Sequence, residues 1–585
     1  MKTIQLQKKR HWQKGVLVSA CLVTMGLISE KTQGLAYAIP GSPDIFRLKN
    51  QEKKFSDSIA NFPLNSPEII GQNNNNKTPI LIEKVQVEGS TVFTSEDFAP
   101  IIQPIEGKTV TQQQLREVVS AITQLYINEG YLNSRAVLVG ISDGVAVIAI
   151  SEGTIGNIEI EGTTRLQNYV RSRIELGIGT PLNARKLEDQ LRLLRSDPLF
   201  KNVQATLQPP QEDTPVTPGE EKARSTLVVT VTEADPFAGS VGADNYSPPS
   251  IGATRFNLNL LYRNLTGIGD QIATSYRPRF ETWDGTYSLD LAYRAPLNPM
   301  DGAITFNALI ERNRVIQGVE NIDLLNIGGN SERYTLDYRQ PLKRTTREEL
   351  ALSTGFSYYN GRTFLDDEPF PFGFGPNDQG VTITSVFTFG QEYIRRQRTG
   401  AWGVRSQFRF GTGLFEATDN NDRIPDGYFF TWLGQVQRLQ VINPDNVLII
   451  QLDLQLTPDT LLPSEQFVIG GAQSVRGYRQ NVMAGDNGAR FSIEDRITLV
   501  RDEQENPVFI LAPFFDLGAI WNSEDNPNRI VASQTVIAGL GLGVIWQPIE
   551  KLNIRLDYAP PLMDLNIRRD NVQDDGFYFS INYGF

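Results

Sequence analysis

Cysteine and histidine are nearly missing from this chain of 585 residues: there is one of each, Cys21 and His11. Both lie in a leader-like stretch. Lys2, Lys8, Lys9, Arg10 and Lys14 come first, Gly15 to Ile28 is apolar, and Ala36-Tyr37-Ala38 fits the small-x-small rule for cleavage. Residues 1–38 therefore read as a secretory signal peptide, and the mature chain is expected to carry neither residue. That excludes disulfides, thiol nucleophiles, histidine-based triads and Cys/His zinc sites together. Long apolar runs are missing as well. The leader's run falls short of the ~18 residues of a spanning helix, and no later run is longer, so no transmembrane helix is expected. Positive charge is scarce. Without residues 1–38, 49 basic side chains face 66 acidic ones, a formal charge of −17, which argues against nucleic acid as a partner. Lysine almost disappears from residue 237 onward, where 28 arginines accompany only Lys343 and Lys551. An arginine fork can satisfy several acceptors inside an enclosed polar space. Catalytic signatures are lacking too. Gly107-Lys108-Thr109 has Ile102 where a phosphate loop needs its first glycine, and no G-x-S-x-G occurs. No nucleotide, cofactor or metal site can be placed, and an enzyme is not expected.

What is present falls into three parts. Residues 39–78 are rich in Pro and Asn, including Asn73 to Asn76, which is linker composition. Within them Asp44 to Ala60 reads either as a tether or as a short polar helix. From Pro79 two similar units follow, 79–153 and 154–236. The first reads as strand Ile80–Val87, helix Ser95–Ile102, helix Thr111–Glu129, and strands Leu132–Val139 and Val145–Ser151. The second reads as strand Ile155–Ile160, helices Leu166–Leu176 and Asn183–Arg195, and strands Phe200–Leu207 and Thr226–Thr232. Leu115, Val118, Ile122 and Tyr126 fall on one helical face, as do Leu187, Leu191 and Leu194. The common order implies an internal repeat.

From Phe237 the period changes to two. Tyr287, Leu289, Leu291 and Tyr293 alternate with Ser288, Asp290, Ala292 and Arg294; Trp402, Val404, Phe408 and Phe410 alternate with Gly403, Arg405, Gln407 and Arg409. One face is apolar and the other carries charges of both signs, as a water-filled lumen does. About sixteen such segments in 349 residues suit an even-stranded membrane barrel with strands of ~10 residues. An embedded sheet must close on itself, because an open edge would leave backbone groups unpaired in hydrocarbon. The fold class expected is a transmembrane β-barrel of about 16 antiparallel strands behind two α+β domains.

Two places within residues 237–585 exceed what a barrel needs. One is a long connection, Thr460 to about Gly488, containing Val475-Arg476-Gly477-Tyr478. The other is the strand containing Phe514-x-Asp516-x-Gly518, on which Asp516 has inward phase; Glu494 and Arg496 share that phase on the strand before it. On the strand after it Gly539, Gly541 and Gly543 face inward, leaving room for an inserted loop or permitting the sheet to bend.

With these motifs the chain resembles the TpsB transporters of two-partner secretion, haemolysin secretion/activation proteins of the BamA-like superfamily. The resemblance spans residues 39–585. It implies that the two units are periplasmic POTRA domains, the second of the polypeptide-transport type, and that the long loop folds back into an outer-membrane barrel. There Arg476 would meet Asp516, with Glu494 as a second acceptor. It also implies a secreted TpsA-like partner with an N-terminal secretion domain, no nucleotide, and a plug helix at Asp44–Ala60 as in some relatives. The last strand, with Phe577, Phe579, Tyr583 and Phe585 at alternate positions, would be read by barrel assembly machinery.

Overall fold

The computed structural model describes residues 79–208 and 224–585, apart from 284, 317–325, 421–423, 528–534, 566–567 and 569–570. The expected signal peptide and plug helix lie outside the described residues.

The first α+β unit comprises β1 (Ile80–Ile82), β2 (Lys84–Glu88), α1 (Ser95–Ile102), β3 (Lys108–Val110), α2 (Gln112–Asn128), β4 (Arg135–Ser142) and β5 (Val145–Ser151). The second comprises β6 (Thr154–Glu161), α3 (Gln167–Glu175), α4 (Ala184–Arg195), β7 (Phe200–Gln208) and β8 (Arg224–Glu233). The sheets have the same plan. β5 is central between parallel β2 and antiparallel β4; β8 is central between parallel β6 and antiparallel β7. Thr111 opens α2 with a reciprocal cap: its hydroxyl accepts from Gln114 N (3.3 Å), and the Gln114 side chain accepts from Thr111 N (2.8 Å). Leu115, Val118, Ile122 and Tyr126 then pack on Val85, Ala146 and Ile148, as Leu187, Leu191 and Leu194 pack on Val203, Val229 and Val231.

Three local readings shift. Ile80–Val87 is two strands, broken at Glu83, and Lys108–Val110, unassigned between the two expected helices, is a strand paired with β1. A three-residue strand held by a distant partner leaves no local periodicity to detect. The strand read as Leu132–Val139 starts later, at Arg135, because Tyr131 N still bonds Tyr126 O (2.9 Å) and Ser134 N bonds Tyr131 O (3.1 Å). Asn183 caps α4 by accepting from Arg185 N (3.1 Å) and Lys186 N (3.4 Å), while its amide donates to Glu129 O of the first unit (3.1 Å). Asn183→Ala is expected to cost ~0.5–2 kcal/mol. The check is a lower urea midpoint followed at 222 nm, a signal that reports this part of the chain because all described α-helices lie within residues 95–195.

Among the described residues, sixteen antiparallel strands close the barrel. They are β9 (Phe237–Asp244), β10 (Arg255–Arg263), β11 (Gln271–Pro278), β12 (Tyr287–Pro296), β13 (Ala303–Arg314), β14 (Ile327–Arg344), β15 (Glu348–Leu365) and β16 (Val381–Gln397). β17 (Gly400–Thr412), β18 (Phe430–Asn443), β19 (Asn446–Leu456), β20 (Asn487–Arg501), β21 (Pro507–Trp521), β22 (Val536–Trp546), β23 (Leu552–Tyr558) and β24 (Phe577–Gly584) complete it. A two-residue strand, Glu368–Pro369, extends the edge of β15. Each strand pairs with its sequence neighbour, and β24 pairs with β9 through Ser580–Gly584 and Ser240–Asp244. Leu291, Trp402, Val404, Phe410, Leu540 and Ile581 are exposed on the outer face, where lipid rather than water would cover them. Strand lengths run from 7 residues in β23 to 18 in β14 and β15. The ~10 expected is what the bilayer requires, and the longest strands continue beyond it as paired hairpins.

Candidate functional site

Between β19 and β20 the chain turns inward and fills part of the lumen. Its placement follows from a charge that cannot be left alone. The Arg476 side chain keeps only 6% of its exposure, and Asp516 on β21 keeps none. Arg476 Nε and Nη2 donate to Asp516 Oδ2 (2.6 Å) and Oδ1 (2.9 Å), a two-bond fork, and the Arg476 backbone N–H donates to Oδ2 (3.2 Å). Nη1 donates to Glu494 Oε2 on β20 (2.8 Å). Ser492 Oγ donates to Asp516 Oδ1 (2.6 Å). The guanidinium carbon lies 3.2 Å from the Phe514 ring centre, so the aromatic face covers the cation.

Around this fork the charges balance. Glu494 also receives Arg496 Nε (2.8 Å) and Arg555 Nη2 (2.7 Å), and Arg555 Nε reaches Asp557 Oδ2 (2.7 Å). Three arginines thus face three carboxylates. Removing two charges from water costs several kcal/mol per ion, which only close and complete pairing offsets.

The glycines of both motifs and Gly539 on β22 make room. A Cβ on Gly518 would stand 2.7 Å from Val475 Cγ2, and one on Gly539 would overlap the Arg476 carbonyl. Gly477 has φ +107° and passes close to Ala559 and Pro561. Val475 and Tyr478 join Ile469, Val482 and Met483 of the loop against Ile520 and Ile537 of the wall, an apolar cluster inside the barrel. Ile520 and Ile537 share the inward phase of Asp516 and Gly539. They break the polar rule of the lumen where the loop docks.

Tyr578 on β24 closes the seat. Its hydroxyl accepts from Gly477 N (2.8 Å) and donates to Tyr478 O (2.7 Å). Tyr478 Oη in turn lies 2.9 Å from Ala538 O and accepts from Met563 N (3.1 Å). Arg479 Nη1 bonds Asp574 Oδ2 (2.9 Å), and Gln480 N bonds Gln573 Oε1 (2.8 Å).

The structure therefore brings Val475, Arg476, Gly477, Tyr478, Phe514, Asp516, Gly518 and Glu494 into one site. Phe577, Phe579, Tyr583 and Phe585 are not part of it; Phe577, Tyr583 and Phe585 are exposed on the outer face. Reading the sequence alone missed Tyr578, Arg555, Asp557 and Asp574. The first three have inward phase on their strands, a signal that was available, but nothing in the sequence marks which inward residues meet the loop.

Residues 223–545, more than half of the chain, match the haemolysin secretion/activation protein family ShlB/FhaC/HecB. The chain belongs to this family. Residues 80–153 match the POTRA domain of the ShlB type. The heme/hemopexin transporter protein HuxB of Haemophilus influenzae (strain 86-028NP) is 22% identical, over 96% of this chain and 98% of its own. The outer membrane transporter CdiB of Dickeya dadantii (strain 3937) is 24% identical, over 70% of each chain. Among solved structures, CdiB from Escherichia coli superposes with a TM-score of 0.67 at 20% identity, covering 94% of this chain and all of that one. BamA from Haemophilus ducreyi lacking POTRA domains 1-3 gives 0.52 at 14% identity, covering 87% and 100%. As a ShlB/FhaC/HecB protein, the chain is a TpsB-type outer-membrane β-barrel with POTRA domains in the periplasm, and members of this type pair with secreted TpsA-like exoproteins. No helix among the described residues is long and apolar enough to cross a membrane; the strands do so.

Proposed function

We propose that this protein captures one unfolded exoprotein through its two periplasmic α+β units and passes it outward through the barrel without nucleotide. The observation that carries the reading is a combination: paired units with open sheet edges stand ahead of a barrel whose lumen holds an anchored loop. A passive porin needs neither part. β4 and β7 end their sheets among the described residues, and Val137 and Val139 on β4 are exposed. An extended passenger can add a strand at such an edge and set side chains beside the neighbouring helix. Folding of the passenger outside would make its return unfavourable. The domains we assign are the signal 1–38, the N-terminal segment 39–78, POTRA units 79–153 and 154–236, and the barrel 237–585. The outer apolar face contacts outer-membrane lipid, and the terminal strand engages the barrel assembly machinery.

The alternative is an insertase of outer-membrane proteins, favoured by the shared fold with BamA. Comparison of surface and medium proteins in a deletion strain separates the two. Loss of one exoprotein with other barrels unchanged is expected; general loss of barrel proteins would overturn the secretion reading. A plug helix at Asp44–Ala60 carries its own expectation: deleting residues 39–60 raises single-channel conductance in planar bilayers and leaves secretion running. Equal conductance of both forms would reduce the segment to a tether.

A further inference from the structure

The loop has an attachment that the paired motifs do not include. Before the Val475–Tyr478 segment, a short turn at Pro463–Glu465 places Glu465 where it has no solvent exposure at all. Its Oε2 takes a bond from Arg409 Nη2 on β17. Its Oε1 accepts from Thr384 Oγ1 on β16 (3.2 Å) and lies 3.6 Å from Arg333 Nη1 on β14. Arg409 in turn lies beside the Phe429 ring, and Arg333 beside that of Tyr359.

The same place is the neck of the loop. Gln455 Nε2 at the end of β19 donates both to Glu465 O (3.1 Å) and to Asp486 O (2.9 Å), tying the outgoing limb to the returning one. The Asp486 carboxylate, fully buried, accepts from Leu461 N (3.0 Å), Ser523 N (3.0 Å) and Asn526 Nδ2 (2.7 Å). Arg476 is the tip of the lobe beyond this neck. The two attachments use different walls, β14, β16 and β17 for Glu465 and β20 and β21 for Arg476, and none of the partners named for one serves the other.

The barrel does not need Glu465 for its own closure, since the wall strands pair through their backbones. A carboxylate without solvent is costly unless cations or several hydrogen-bond donors reach it, so the contacts with Arg409 and Arg333 specify where the neck sits. We propose that Glu465, held by Arg409 and Arg333, is a positioning residue that keeps the neck in the lumen independently of the Arg476–Asp516 attachment. The tip can then leave its seat without the loop leaving the barrel. This rests on the secretion reading, in which the anchored loop occupies part of the lumen through which the exoprotein passes.

The test is planar-bilayer recording of the purified full chain, which needs no exoprotein. Glu465→Ala and Arg409→Met are each expected to increase open time roughly tenfold or more, as loss of a buried charge partner weighs heavily on a two-state equilibrium. Glu465→Gln keeps the shape and serves if the alanine variant fails to fold, judged by heat-modifiable gel mobility. Independent attachments predict that adding Arg476→Ala multiplies the two effects. The exchange Glu465→Arg with Arg409→Glu is expected to bring open time back toward the parent, which a residue with a merely space-filling role would not do. Unchanged open time in the single variants, or a double variant no more open than Arg476→Ala alone, overturns the proposal. A chain that secretes nothing but responds in this way sinks only the secretion reading.

Discussion

Arg476→Ala is expected to abolish secretion while leaving near-normal amounts of folded barrel in the outer membrane, and Asp516→Ala is expected to do the same. Each change strands the other member of a pair that has almost no contact with solvent. Breaking a buried pair from one side typically costs ~3–5 kcal/mol. Lumen water can recover part of that, and the strand ladder of β20, β21 and β22 makes no use of Arg476. The loop should therefore lose its seat before the barrel loses its fold. The exchange Arg476→Asp with Asp516→Arg rebuilds the attraction in reverse and should restore some secretion. Full rescue is not expected, because aspartate is short and cannot reproduce the fork, and because Ser492 and Phe514 are arranged around the present polarity. Glu494 keeps Arg496 and Arg555 when Arg476 is removed, so it is the smaller loss. Secretion assays and barrel immunoblots of the three variants decide the matter. Normal secretion in both single mutants would show that the anchor is dispensable. Failure of the exchange after failing singles directs the same cycle to Glu494.

Deleting Phe585 is expected to lower the folded fraction of the barrel several-fold, read by heat-modifiable mobility. Two effects converge on this residue. As the last of the outward aromatics on the terminal strand, it belongs to the proposed assembly signal. It also finishes the seam: Phe585 N donates to Gly239 O (2.9 Å), and Gly239 N donates to Phe585 O (3.3 Å). Its ring occupies the space a Cβ on Gly239 would need and lies 6.2 Å from the Phe237 ring. Closure matters because an open edge in hydrocarbon leaves backbone groups unpaired at several kcal/mol each. Gly239→Leu separates the effects, since it blocks the notch and leaves the terminal strand's sequence intact. A normal folded yield after deletion of Phe585 would refute both roles, and a defect confined to the deletion would leave the signal role alone.

The parts of the protein that were legible in its sequence are those whose cause is periodic. Alternation along β12, β17 and β24 already meant one face in oil and one in a polar lumen. The helical spacing of Leu115, Val118, Ile122 and Tyr126 already meant a helix lying on a sheet. Phase along β21 was enough to turn Asp516 inward and Leu517 outward, because side chains alternate along a regularly paired strand, and the register around Asp516 is regular. The loop was conspicuous through its length and through Arg476 among apolar neighbours. Lys108–Val110 was not legible, since its reason to be a strand is β1, far behind it in the chain. Nor could phase alone choose among inward residues. Tyr578 and Arg555 look like any lumen side chain until the loop is placed, Glu465 sits in the loop and has no strand phase to read, and Ile520 and Ile537 look like errors in the pattern. Periodicity reports what faces which solvent, and that is local. Which inward groups meet is set by barrel curvature and by the path of a thirty-residue loop across it; the family resemblance implied that Arg476 meets Asp516, but only the tertiary structure decided that Glu465 is held at a different wall.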